Sequence, residues 1–179
     1  MPESSELPLR LFFALGCPPE LADQIGSWRD SQNLRGRPVA TENLHLTLAF
    51  LGSQPAAALD GLIQLGGELR EEAFTLCLDQ LQTIGTDFLC LTPSRPPPPL
   101  LRLVAHVHSG LTALGVSLDS RPFLPHVTLA RKADSQPLCP APEAFEWRVK
   151  GFGLFRSENT TTGVHYAELA HWSLIAPSG

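Results

Sequence analysis

The stretches NLHLTLAFLG (Asn43–Gly52) and PFLPHVTLAR (Pro122–Arg131) share one kernel: His, an aliphatic residue, Thr, Leu. Leu44, Leu46, Leu48 and Phe50 alternate with His45, Thr47 and Ala49, and this period of two specifies a strand. HVTLAR repeats the pattern later in the chain. In a strand, residues i and i+2 share a face, so His45 projects with Thr47 and His126 with Thr128. Leu46, Leu48, Val127 and Leu129 point the other way and anchor each strand in a core. The chain must therefore build two strands whose polar faces look at something other than packed side chains. A local reading, in which each His merely bonds its neighbouring Thr, explains one copy; a repeat in two sections of the chain favours one shared site.

The remaining runs set the architecture. LRLFFALG (Leu9–Gly16) reads as a strand, and Pro18 and Pro19 open a helix whose spacing continues to Gly36. QPAAALDGLIQLGGELREE reads as a second helix, and AFTLCLDQLQTIG with FLCLTP as a strand pair turning at Gly85–Asp87. After the prolines of SRPPPP, which suit a loop or short spacer, a third helix runs from about Pro99 to Leu114. SQPLCPAPEA reads as a loop, and FEWRVKGFGLFRSE with VHYAELAHWSL as a closing antiparallel pair across NTTTG. This order lacks the regular βα alternation of a doubly wound sheet, so a mixed α+β fold with mainly antiparallel pairing is expected. Each motif strand lies in its own βα section, which suggests an internal duplication whose two lobes face each other.

At 179 residues the chain suits one bilobal domain spanning 1–179. No apolar run is long enough to span a bilayer, and the acidic start MPESSELPLR lacks the basic opening of a secretory signal, so no membrane and a cytoplasmic location are expected. Cys17, Cys77, Cys90 and Cys139 form no Cys-x-x-Cys pair and read as reduced thiols. A formal charge of −5 argues against wholesale coating of nucleic acid, while Arg35, Arg37, Arg121, Arg131 and Lys132 lie near the motifs and leave room for a local anion site. Size and the lack of an apolar surface stripe suggest a monomer.

Two imidazoles on facing strands suit acid–base work on a phosphodiester. Opening a cyclic phosphodiester with water needs a base for the nucleophile's proton and an acid for the departing alkoxide, on opposite sides of phosphorus. Histidine titrates near neutrality and can serve as either. Thr47 and Thr128 would donate to the non-bridging oxygens as charge builds there. This scheme needs no metal or other cofactor, and no Asp/Glu cluster suggests one. Residue chemistry alone leaves open which His is acid and which is base. His106 and His108, at i and i+2 on a helix, point to different faces and read as exposed; His165 and His171 read as surface or half-buried.

With RLFFAL, GRPVATENLHLTLAFLG, FTLCLD, RPFLPHVTLAR and HYAELAHWSL in order, the chain resembles the 2H phosphoesterase superfamily, and within it the RNA 2′,3′-cyclic phosphodiesterases, historically called 2′-5′ RNA ligases. The resemblance implies a bilobal α+β fold with a pseudo-two-fold axis, helices packed outside and a central cleft. It implies metal-independent hydrolysis of terminal 2′,3′-cyclic phosphates, on RNA ends or small nucleotides, to 2′-phosphomonoesters. Carried over by position, His45 matches the proton donor to the 3′ oxygen, His126 the base that activates water, and Thr47 and Thr128 the phosphate holders. Arg121, five residues before His126, is a second candidate anion contact. Phe50 is a candidate stacking platform, although strict alternation places it in the core. A non-catalytic nucleotide- or RNA-end-binding module is the alternative, and a metal-dependent hydrolase using four or more of the histidines a third.

Overall fold

The computed structural model describes residues 7–32, 34–134 and 139–177. Its strands are β1 (Leu9–Gly16), β2 (Arg37–Pro38), β3 (His45–Gln54), β4 (Phe74–Ile84), β5 (Phe88–Thr92), β6 (Val127–Arg131), β7 (Cys139–Val149), β8 (Gly151–Thr160) and β9 (Gly163–Ser173). The helices are α1 (Pro19–Ser31), α2 (Leu59–Glu68) and α3 (Pro98–Ala113). The strands join in the order β7-β4-β5-β6-β3-β1-β8-β9, with β2 attached to β6 and every named pair antiparallel. Four strands lie on each side of a seam between the two motif strands, β3 and β6, which share the single register pair Leu46–Val127.

Both halves repeat one plan, in which an antiparallel pair is linked through a helix: β1-α1-β3 on one side and β5-α3-β6 on the other. Each helix crosses the seam and packs on the opposite half. Trp28 of α1 meets Phe145 of β7 edge-on, with ring centroids 5.6 Å apart, and Arg29 of α1 donates to the Leu129 carbonyl of β6. Reciprocally, α3 lies against β3 and α2, with His108 donating to the Leu48 carbonyl. Pro at the first turn suits the start of α1 and of α3, because the missing N–H has no intrahelical partner there. The inward stripe of α3 is Leu100, Leu103, Val104, Val107 and Leu111, all buried at helical spacing. Each such side chain contributes on the order of 1.5–3 kcal/mol through burial. The stripe joins Leu11, Phe13 and Leu15 of β1 and Leu46 and Leu48 of β3 in one continuous core.

A bulge interrupts both motif strands at the same place. Against β1, Thr47 pairs with Ala14 and Ala49 with Phe13, so Leu48 is skipped. Against β5, Thr128 pairs with Cys90 and Ala130 with Leu89, so Leu129 is skipped. One extra residue reverses the in–out alternation beyond it. From Leu46 to Phe50 and from Val127 to Arg131 the burial runs identically: buried, half-buried, buried, buried, exposed. Strict alternation would have buried Phe50; the bulge turns it outward.

Three sequence expectations change. Helix α1 stops at Ser31 rather than Gly36, because the Gln32 N–H closes back on Arg29 and the chain then turns through Gly36 into β2. The run FEWRVKGFGLFRSE is two strands meeting at Lys150, with Phe145–Val149 on β4 at one sheet edge and Gly151 onward between β1 and β9. Periodicity identified strand but not partner. The expected loop at 135–144 is strand from Cys139, where Cys139 and Pro140 pair with Leu81 and Gln80; residues 135–138 lie outside the described residues.

Gly36 holds β2 against β6 at a φ of +113°. A Cβ there would sit 2.6 Å from the Arg131 carbonyl oxygen and 2.9 Å from the Ala133 Cα. Gly36→Ala should therefore lose at least about 2 kcal/mol of stability, combining backbone strain with overpacking. Urea unfolding of the two proteins reads the difference, and equal midpoints would contradict it.

Candidate active site

A cleft of about 380 Å³ opens over the β3/β6 seam. From β3 it is walled by His45, Thr47 and Phe50, and from β6 by Thr128 and Arg131. Arg10 and Phe12 of β1 enter from the far side of β3, with Ser157 and Asn159 of β8 and Tyr166 of β9 beyond them.

The two histidines are held alike. His45 Nδ1 lies 2.7 Å from the Asn43 carbonyl, and His126 Nδ1 lies 2.7 Å from the Leu124 carbonyl, each two residues upstream. A carbonyl only accepts, so each Nδ1 carries its hydrogen and each Nε2 is left as the working nitrogen. His45 Nε2 is 3.0 Å from the Thr47 hydroxyl, which donates to it while the ring is neutral. His126 stands just before β6, half-buried and outside the enclosed part of the cleft. Its charge nevertheless reaches His45.

Burial is the largest influence on the His45 imidazole and pushes its pKa below the ordinary histidine range; repulsion from His126 and Arg131 adds to this, against the opposing bond to the Asn43 carbonyl. Much of the enclosure is aromatic. Phe12 lies 5.1 Å from the His45 ring and Tyr166 meets its edge at 5.0 Å. Arg131 donates to the Tyr166 hydroxyl at 3.2 Å, bridging β6 and β9 across the opening. The Arg10 guanidinium lies 5.5 Å from the centre of the Phe50 ring. Two cations thus line a cleft in a chain of net charge −5.

Of the expected site residues, His45, Thr47, Thr128 and Phe50 wall the cleft; His126 is not among its walls, though it is close enough to His45 for its charge to act on that ring. Arg121 does not join them: it is exposed and paired with Asp119 by a bidentate contact at 2.5–2.7 Å. Proximity in sequence failed as a guide there because the segment before β6 turns Arg121 onto its own neighbour. Thr128 Oγ1 is 3.7 Å from the buried Cys90 thiol, whose pKa burial pushes up to about 11. The Cys17 thiol is pushed up to about 12 by burial, which suits no nucleophile. Arg10, Phe12, Asn43 and Tyr166 escaped the sequence reading: pairing of distant strands brings in Arg10, Phe12 and Tyr166, and the turn before β3 brings in Asn43. The available signal was Arg10 at i and Phe12 at i+2 of one strand.

The other histidines lie elsewhere. His106 is exposed, as expected, and meets the buried Glu71; His108, also expected to be exposed, is half-buried against β3. His165 is exposed, and so is His171, 3.4 Å from Glu168. Among the described residues, no three His, Cys, Asp or Glu side chains gather where they could hold a metal ion. No helix among them is long and apolar enough to cross a membrane.

The chain is similar in sequence and in fold to known proteins. The model of the 2′-5′ RNA ligase superfamily matches residues 17–161. The RNA 2′,3′-cyclic phosphodiesterase of Escherichia coli (strain K12) is 38% identical over 172 residues, covering 93% of this chain and 97% of the relative. The RNA 2′,3′-cyclic phosphodiesterase of Thermus thermophilus is 33% identical, covering 96% and 93%. The crystal structure of E. coli LigT complexed with 3′-AMP superposes with a TM-score of 0.86 at 37% identity, covering 93% of this chain and 98% of that one.

The lowered His45 pKa makes a prediction with a definite sign. Below an unfolded pKa of about 6.5, the unfolded chain takes up a proton at His45 before the folded chain does. The stability from this group is therefore present above that pH and lost as pH falls through the folded pKa. His45→Gln should flatten this part of the stability–pH curve, measured by urea titration between about pH 7 and 5. A parallel curve in the variant would contradict the assignment.

Proposed function

The chain belongs to the 2′-5′ RNA ligase superfamily, and from that footing we propose that it hydrolyses 2′,3′-cyclic phosphate ends of RNA or small nucleotides to 2′-phosphomonoesters. The observation that carries this reading is the matched mounting of two imidazoles: each Nδ1–H is tied to the carbonyl two residues upstream, which leaves the two Nε2 atoms as the nitrogens that move protons at one seam.

His126 takes a proton from water as the water oxygen bonds to phosphorus. The bond from phosphorus to the 3′ oxygen breaks, and His45 delivers a proton to that oxygen. The acid and base roles follow the family resemblance. The products are a 2′-phosphomonoester and a free 3′-hydroxyl, and the two histidines exchange protonation states before the next turnover.

The ligand-free electrostatics fit this order. When the cleft is empty, burial and its cationic neighbours disfavour the charged form of His45. A phosphodiester anion beside Nε2 reverses that balance and raises the pKa, so substrate binding arms the acid. Protonation of Nε2 also ends its acceptance from Thr47, freeing the hydroxyl to donate to a non-bridging oxygen. Thr128 serves the other side, Arg131 and Arg10 attract the anion, and Phe50 offers a face for a base. Ligation through a 2′-5′ linkage is the same ring opening with a ribose 5′-hydroxyl in the place of water: the 5′ oxygen bonds to phosphorus as the bond to the 3′ oxygen breaks. In dilute solution the abundance of water favours hydrolysis. The same reading makes the protein a cytoplasmic monomer that uses no metal.

His45→Ala and His126→Ala should each lower kcat on a nucleoside 2′,3′-cyclic phosphate by at least about 100-fold, the usual span of a lost general acid or base. Thermal melting confirms that each variant is folded. Chromatography that resolves 2′- from 3′-phosphates should find the 2′ product, and EDTA should leave the wild-type rate unchanged. Full turnover by either variant, or a 3′ product, would refute the mechanism. Loss of activity in EDTA would favour a metal-dependent hydrolase, and tight binding without turnover a non-catalytic module.

A further inference from the structure

The bulge directly after the Thr of each motif leaves a buried residue, Leu48 in β3 and Leu129 in β6, without a register partner in β1 or β5; β3 skips a second residue, Leu51, further along. A buried carbonyl needs a donor, and a skipped residue is where a ladder tends to fail to provide one. In both strands a side chain from the crossing helix donates to the skipped residue. Arg29 Nη1 of α1 donates to Leu129 O at 3.1 Å, and His108 Nε2 of α3 donates to Leu48 O at 2.9 Å. The two leucines occupy the same place in the repeat, directly after Thr128 and Thr47. Arg131 and Phe50, each five residues past a motif His, are likewise equivalent, and both are turned into the cleft by the bulge. One half thus presents a cation and the other an aromatic face.

We propose that His108 is a positioning residue for substrate binding: its Nε2–H holds the Leu48 carbonyl, fixes the bulge in β3 and so keeps Phe50 facing the cleft. It touches no substrate. The helix carrying it belongs by sequence to the half of the sheet that holds the other motif, so the aromatic face on β3 depends on a donor delivered across the seam. This inference rests on the proposed role of Phe50 as the base platform. Arg29 is the counterpart on β6, where the task is shared: Leu129 O also takes the Val39 N–H at 2.9 Å, and Arg29 Nη1 also donates to the Val39 carbonyl at 2.6 Å.

The readout is the preference for a base, taken as the ratio of kcat/KM for adenosine 2′,3′-cyclic phosphate to that for ribose 2′,3′-cyclic phosphate, which has none. His108→Ala should reduce this preference about 5- to 10-fold, mainly through the KM of the nucleotide, as a stacking contact is lost. His108→Gln can place an amide N–H near the position of Nε2 and should recover most of it. Phe50→Ala sets the size of the full effect. A crystal structure of His108→Ala reads the phase of β3 without any substrate, and should show Phe50 turned from the cleft. Phe50 still walling the cleft there, or an unchanged preference in His108→Ala beside a collapsed one in Phe50→Ala, would overturn the proposal. An unchanged preference in Phe50→Ala overturns the base-platform role alone, and the crystal structure still decides whether His108 sets the bulge.

Discussion

One backbone register pair, Leu46 with Val127, joins the motif strands β3 and β6 directly, and the arrangement of the site depends on it. It sets the two motif strands side by side and antiparallel, so their polar faces open into one cleft from opposite directions. A single pair is a weak joint by itself. The exchange of helices reinforces it: α1 and α3 each leave one half and bury their apolar stripe on the other. Separating the halves would expose both stripes, so the seam is held by burial more than by its own hydrogen bonding.

The same crossing accounts for the cleft's asymmetry. A duplicated strand placed about a pseudo-two-fold axis would present equal walls, yet the fifth residue past each His is Phe50 on one side and Arg131 on the other. Arg131 also helps to hold down the charge of His45, and it reaches Tyr166 on β9. Cation, aromatic ring and buried imidazole thus form one electrostatic unit. In the empty cleft, burial and the nearby cations disfavour the charged ring of His45; an anion there favours it. The net charge of −5 is no obstacle, because the field at the site comes from Arg10 and Arg131 at close range.

Sequence reasoning succeeded where local periodicity carries the information. β1, β3, β4, β5, β6 and α3 lie close to where alternation, helical spacing and proline punctuation put them. It failed where the outcome depended on a partner. FEWRV and GFGLFRSE look like one strand, but β4 claims the first part and β1 with β9 the second. Phe50 looked buried because parity is counted along one strand, whereas a bulge is a property of two. Arg121 looked close to the motif in sequence, but Asp119 holds it outside.

The sequence by itself determined the chemistry on offer: two His-x-Thr motifs, one within β3 and one at the entry to β6, on strands with apolar backs. It did so because side-chain direction in a strand alternates residue by residue and needs no knowledge of the rest of the chain. Only the tertiary structure decided how those groups are mounted and tuned. The carbonyls of Asn43 and Leu124, the rings of Phe12 and Tyr166, and the donors on α1 and α3 meet the motifs through contacts between segments remote in sequence or through loop geometry. Burial, and with it the pKa of His45, is a property of the assembled core that no single segment encodes.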